Sequence, residues 1–366
     1  MGGGPEAKKD KVLFVLPFPE PTDVTDRLKR KFPNIDFEYI NLTSHRDGVW
    51  VRHKELPKEI YHDITILGTL AVLPEKPEDC PRLELTHIFS AGINHITDNP
   101  VYKDTDVTFT TSNGIHGPQI AEWVVMTALI QSHKYNPLYE LQKQHKWGQK
   151  HTSENYGKVS DLVGQRLGVL GYGSIGRQVA RVGKAMGMDV IAYTAHAKDT
   201  PAARADNGYI VPGTGDPDGS IPSAWYSGTT KAELHRFLAQ DVDLLLVSVP
   251  LTKATLRLLG AAEFAVLGRR NAFVTNISRG KVVDQPALVD ALKDGTLRGA
   301  ALDVVDPEPL PEDDPLWDAP NVTITPHISG LGDAYAKRAF EVMELNLERR
   351  ANGEELINVV DKKRGY

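Results

Sequence analysis

The chain of 366 residues is 41% hydrophobic and 25% charged, long enough for two cores and too apolar for general disorder. Its net charge of -6, with no dense Lys/Arg block, gives nucleic-acid or acidic-membrane binding no electrostatic support, so a small-molecule partner is expected. Cys80 is the only cysteine, which excludes an internal disulfide and any Cys-based zinc cluster and suits a reducing compartment, by default the cytoplasm.

The stretch Met1–Glu6 has no apolar signal core, and Glu6 stands where a myristoylation motif wants Ser or Thr. No run approaches transmembrane length. Histidines are scattered, without HExxH-type spacing, so no metal is expected.

Short apolar or β-branched runs at Val12–Leu16, Phe37–Ile40, Ile64–Leu67, Leu85–Phe89 and Val107–Thr110 alternate with helical or turn stretches and predict a small α/β domain. Ile120, Val124, Val125, Ala128 and Leu129 form a helical stripe that could carry the chain into a neighbouring domain. Next comes a buried-strand pattern ending in Gly171-Tyr172-Gly173-Ser174-Ile175-Gly176. A strand feeding a Gly-x-Gly-x-x-Gly turn and a helix lets bare backbone approach a pyrophosphate at a helix N-terminus, so a dinucleotide is expected here. Further strands at Val190–Tyr193, Leu244–Val249, Ala272–Ile277, Ala300–Val304 and Val322–Thr325, with helices between, predict a doubly wound parallel sheet.

The polar stretch from Asp199 to Thr230 reads as a long loop or surface elaboration. Asp284 is a candidate cap for a helix stopped by Gly295, and Asp333 for a long terminal helix that returns to the first domain. The expected organisation is a substrate-binding domain of residues 1–113 and 330–366, interrupted by a dinucleotide-binding domain of residues 114–329.

Doubly wound sheets bind ligands beyond the carboxyl ends of their strands. Arg279, Glu308 and His327 each follow a successive strand there, an arginine, an acid and an imidazole expected on one edge. Arginine offers a planar fork of donors for an α-keto acid, and histidine titrates close enough to neutrality to exchange a proton. A carboxylate on the other ring nitrogen would orient the imidazole and favour its charged form.

Asn276–Val283 (NISRGKVV), Leu302–Leu310 (LDVVDPEPL) and Thr325–Ser329 (TPHIS) resemble the three signature regions of the D-isomer-specific 2-hydroxyacid dehydrogenases, most of all their glyoxylate/hydroxypyruvate reductase branch. The resemblance covers most of the chain and is strongest from Leu167 to Ser329. It implies a Rossmann cofactor domain inserted in a smaller flavodoxin-like substrate domain, a homodimer, and a cleft in which Arg279, Glu308 and His327 are catalytic. It also implies that backbone amides at Ala91 and Gly92 hold the substrate carboxylate together with Arg279. Around the cofactor it places Gly171, Gly173, Ser174, Ile175, Gly176 and Arg177 at the pyrophosphate, Pro250, Thr252 and Ile277 along it, and Asp303 beside the nicotinamide carboxamide.

In NAD enzymes of this fold an acidic residue ends the second strand and receives the ribose hydroxyls. Thr194 occupies that place, followed by His196 and Lys198, so NADP is expected, with NAD use restored if Asp199 or Asp206 reaches the ribose. The expected activity is reduction of a small 2-oxo acid to its D-2-hydroxy acid, with His327 as general acid and base. A dinucleotide-sensing scaffold like the related corepressors is the alternative. Formate enzymes of this fold carry an amide where Glu308 has its acid, which favours hydroxy acids.

Overall fold

The computed structural model describes residues 9–46, 49–52, 56–148 and 159–364; the opening Met1–Glu6 lies outside them. Two compact units divide the chain, one running to Ile115 and resuming at Asp333, the other spanning His116–Gly332.

In the first unit, β1 (Asp10–Leu16), α1 (Thr22–Lys31) and β2 (Ile35–Asn41) are followed by a hairpin of β3 (Thr43–Arg46) and β4 (Val49–Arg52) that the sequence does not announce. Then come β5 (Ile66–Thr69), β6 (Leu85–Ile88), α2 (Pro100–Lys103) and β7 (Thr108–Thr111). The five-stranded sheet is parallel in the order β2-β1-β5-β6-β7, which is the flavodoxin-like order once the hairpin is set aside. Alternation along β1 sends Leu13 and Val15 into one core and Phe14 to the opposite face. There Phe14 meets Phe340 of the terminal helix at 5.1 Å between ring centroids, with Phe89 4.9 Å from the same ring.

That helix, Tyr335–Ala351, has Ala334 rather than the expected Asp333 at its N-cap, and no side chain caps it. The unit borders also fall slightly later than expected. Asn358 donates to the carbonyls of Thr111 and Asn113, tying the turn before Ile115 to the first unit, while Gln119 donates to the Gly330 carbonyl and keeps that residue with the second.

The second unit opens with α3 (Gly117–Ser132) and α4 (Tyr135–Lys143) and contains β8 (Arg166–Leu170), α5 (Ser174–Ala185), β9 (Asp189–Thr194), α6 (Pro201–Arg204), β10 (Ala224–Ser227), α7 (Lys231–Leu238), β11 (Leu244–Val247), α8 (Ala261–Leu267), β12 (Phe273–Asn276), α9 (Gln285–Lys293), β13 (Gly299–Leu302) and β14 (Val322–Ile324). Seven parallel strands run β10-β9-β8-β11-β12-β13-β14. Order reverses between β8 and β11, the switch point where such sheets take ligands. Successive strand residues face opposite cores: Val169, Ala192 and Leu246 meet α3 and α5, whereas Leu170, Tyr193 and Val247 meet α7, α8 and α9. Asp284 caps α9 by accepting from the Ala287 amide.

The reading of 199–230 as a surface loop is corrected. Its segment 224–227 is the edge strand β10, paired in parallel with β9, and Asp216 inside it is buried. Tyr172 donates its hydroxyl to Asp216 at 2.7 Å, and the amides of Ser220 and Ile221 close the loop on the same carboxylate. Burial, and then Asp216, push the Tyr172 phenol far above its ordinary range, so it remains a donor.

No helix among the described residues is long and apolar enough to cross a membrane.

Candidate active site

The turn after β8 assigns each of its glycines a separate task. Gly171 has φ +98, and a Cβ there would meet the Ser248–Val249 backbone at 2.8 Å. A Cβ on Gly176 would stand 2.4 Å from the Gly171 carbonyl oxygen, so α5 can approach β8 only without one. Gly173 faces open space and forms the N-cap of α5 without a capping side chain. Tight turn, open cradle and close helix packing are what a pyrophosphate on a helix N-terminus requires, and Ser174 and Ile175 supply the first turn of that helix. The residues present therefore fit a dinucleotide.

Arg177 departs from expectation. Its guanidinium is buried and turned to the 199–230 segment, donating to the carbonyls of Asp216 at 2.5 Å and Arg204 at 2.6 Å, with its Nε 3.5 Å from the Asp206 carboxylate. Its charge clamps that segment instead of facing a pyrophosphate. The same contact occupies Asp206, one of the two acids that could have reached a ribose. At the end of β9, Thr194 donates its hydroxyl to the His196 carbonyl at 2.7 Å. His196 is exposed and Lys198 half-buried, so the edge presents a hydroxyl, an imidazole and an ammonium group where NAD enzymes have an acid.

Across the switch point, the Ser248 hydroxyl donates to the Gly171 carbonyl at 2.7 Å. The loop after β11 is folded by Thr255, which accepts from the Thr252 amide and donates to the Pro250 carbonyl. Ile277 is buried at the end of β12, its amide bonded to the Val247 carbonyl.

Three strand ends then carry the ionisable groups. After β12, the buried Asn276 accepts from the Ser278 amide at 3.0 Å and donates to the Arg279 carbonyl at 3.1 Å, while the Ser278 hydroxyl donates to the Val249 carbonyl. This turn presents Arg279, whose Nη1 donates to the Ser278 carbonyl. A Cβ on Gly280 would stand 1.9 Å from the Val305 carbonyl oxygen, so the chain leaving β13 presses directly against the chain leaving β12. Glu308 is thereby close enough to act on Arg279: burial pushes the guanidinium's pKa down and the Glu308 charge pushes it up. Arginine stays charged under such opposing influences.

Glu308 accepts from the Val305 amide at 3.2 Å, and its other oxygen lies 2.9 Å from Nδ1 of His327. The pair is exposed, which leaves Nε2 as the ring nitrogen not committed to the carboxylate. Gln285 on α9 braces this corner by accepting from the Asp306 amide and donating to Asp314. The structure thus brings Arg279, Glu308 and His327 together at one edge of the second unit. Asp303 is buried, at 2% exposure, and its carboxylate accepts from Thr325, Ile328 and Ser329. Gly280, Asn276, Gln285 and Ser329 matter to this geometry and were not singled out from sequence. Their signal is only their place beside Arg279, Asp306 and His327.

In the first unit, Ala91 and Gly92 follow the end of β6, in a turn folded by the Ser90 hydroxyl donating to the Gly92 carbonyl at 2.8 Å.

Residues 125–211 and 217–329 match the family described as D-isomer specific 2-hydroxyacid dehydrogenase, NAD binding domain. The chain belongs to this family. The break in the match falls at the buried Asp216. A glyoxylate reductase of Thermococcus gammatolerans is 27% identical over 336 residues, covering 86% of this chain and 89% of the relative. A putative 2-hydroxyacid dehydrogenase of Haemophilus influenzae is 30% identical over 277 residues, covering 74% and 79%. Among solved structures, an NADPH-dependent glyoxylate/hydroxypyruvate reductase of Sinorhizobium meliloti in complex with NADP and sulfate aligns with a TM-score of 0.71 at 26% identity, over 98% of this chain and all of that one. This 2-hydroxyacid dehydrogenase is accordingly an NAD(P)-dependent oxidoreductase, and its glycine cradle and trio are where such chemistry is expected.

Among the described residues no group of three or more His, Cys, Asp or Glu side chains could hold a metal ion.

Proposed function

We propose that the protein is an NADP(H)-preferring reductase of small 2-oxo acids of the glyoxylate and hydroxypyruvate kind, with His327 as general acid and base. The observation that carries this reading is the 2.9 Å pairing of Glu308 with His327, beside Arg279, on the sheet that bears the glycine cradle. A bound nicotinamide supplies a hydride to C2 of the oxo acid. Nε2 of His327 donates a proton to the substrate oxygen during reduction and recovers one in oxidation. Glu308 holds the ring by Nδ1, and Arg279 binds the substrate carboxylate and carbonyl and stabilises the charge that develops on oxygen. Ala91 and Gly92 are proposed to contribute backbone amides to the same carboxylate.

Gly171, Gly173, Ser174, Ile175 and Gly176 would hold the pyrophosphate, and Thr194, His196 and Lys198 a 2′-phosphate. The preference for NADP is supported by the commitment of Asp206 to Arg177 and by relatives described as NADPH-dependent. The test is NADPH oxidation, followed spectrophotometrically, across a panel of 2-oxo acids. Turnover of glyoxylate or hydroxypyruvate is expected; NADPH binding without turnover of any panel member would favour the scaffold alternative.

The family reading also carries a homodimer and a cytoplasmic location. Exposed Tyr135 and Tyr139, whose rings stack at 5.8 Å in the second unit, are a candidate part of a face covered by a second copy, and sedimentation would test it.

A further inference from the structure

We propose that Asp303 is a positioning residue that fixes the backbone of His327, a role that rests on the reading of His327 as general acid and base. Three successive amides of the loop after β14 end on this one residue. The His327 N–H donates to the Asp303 carbonyl at 2.9 Å, the Ile328 N–H to Oδ1 at 2.9 Å, and the Ser329 N–H to Oδ2 at 2.9 Å. The Thr325 hydroxyl donates to Oδ1 at 2.6 Å and the Ser329 hydroxyl to Oδ2. A carboxylate offers about four acceptor directions, and all are used by this loop.

The consequence falls on a single residue. His327 has φ +57, in the left-handed region that residues with a side chain adopt uncommonly. The N–H before its Cα is shared between the Asp303 carbonyl at 2.9 Å and the Thr325 carbonyl at 3.0 Å, and the peptide plane after it is tied to Oδ1 of Asp303, so Asp303 holds a peptide plane on each side of His327. The direction of its Cβ follows, and with it the reach of the ring to Glu308 and the place of Nε2. Burial of Asp303 and Ser329 keeps water from the shared acceptor and from the last of these donors.

The experiment compares Asp303→Asn, Thr325→Val and Ser329→Ala with the parent and with His327→Gln. Read-outs are kcat and KM for glyoxylate, the NADPH dissociation constant from tryptophan fluorescence, and thermal midpoint. An amide nitrogen in place of one carboxylate oxygen cannot accept from the loop, so Asp303→Asn is expected to lower kcat by about 10²-fold, with KM and NADPH affinity changed by less than about threefold. Ser329→Ala and Thr325→Val remove one donor each and are expected to lower kcat by about three- to tenfold with the same split.

Normal kcat in Asp303→Asn, or weakened NADPH binding with kcat retained at saturation, would overturn the proposal. If Asp303→Asn does not fold, Ser329→Ala decides alone, and an unchanged kcat overturns the proposal. Full turnover in His327→Gln would instead defeat the underlying reading of the site. An inactive His327→Gln with normal Asp303→Asn and Ser329→Ala would defeat this inference only.

Discussion

One carboxylate oxygen of Glu308 lies 2.9 Å from Nδ1 of His327 while the other accepts from the Val305 amide. The acid therefore holds the ring from a position that is itself anchored to the backbone. Glu308→Gln keeps a hydrogen-bonding group of the same reach and removes the charge. We expect kcat for glyoxylate reduction to fall by about 10- to 100-fold, with KM nearly unchanged. Steady-state kinetics at saturating NADPH will check this.

The contact between Gly280 and Val305 makes a second expectation. A methyl group at Gly280 would overlap the Val305 carbonyl, and backbone cannot yield as a flexible side chain can. Gly280→Ala should cost about 1–3 kcal/mol of stability and lower kcat more than the stability loss explains, because Arg279 and Glu308 are displaced from one another. Denaturant unfolding and kinetics on the same preparation will separate the two effects.

Cofactor preference tests the edge at β9. Thr194→Asp places an acid where a ribose is bound and where a 2′-phosphate would be repelled. We expect the ratio of kcat/KM for NADPH over NADH to fall at least about tenfold. An unchanged ratio would remove Thr194 from the account of selectivity.

Stability should depend on acid through His87. This ring is buried between the hydroxyls of Thr110 at 2.8 Å and Ser112 at 3.1 Å, and burial pushes its pKa down to about 3. The unfolded chain binds the proton near pH 6.5, so stability is complete above that pH and is lost as pH falls toward the folded value. Between pH 7 and pH 5 the loss should be roughly 2 kcal/mol. Chemical unfolding at the two pH values will measure it, and His87→Gln should flatten the dependence.

Much of this molecule is legible in its residues because strand ends and glycine turns are written locally. Buried runs such as Leu244–Val247 announce central strands, and the Gly171 turn announces a cradle through residues whose missing side chains have one physical use. Arg279, Glu308 and His327 stand out because each follows such a strand. The fate of Arg177 and Asp303 is not local. Arg177 could face a phosphate or the 199–230 segment, and Arg204, Asp206 and the buried Asp216, the last 39 residues away, decide. Asp303 could face a ligand or the next strand's loop, and the amides of 327–329 decide. β10 was hidden for a related reason: its four residues sit among Gly, Pro and Ser, and its strand character comes from pairing with β9.

The most direct test of the central claim is turnover by His327→Gln with NADPH and glyoxylate, alongside NADPH binding by fluorescence. The account predicts a loss of turnover of about 10²- to 10⁴-fold with NADPH affinity preserved. Turnover at the parent's rate would contradict it.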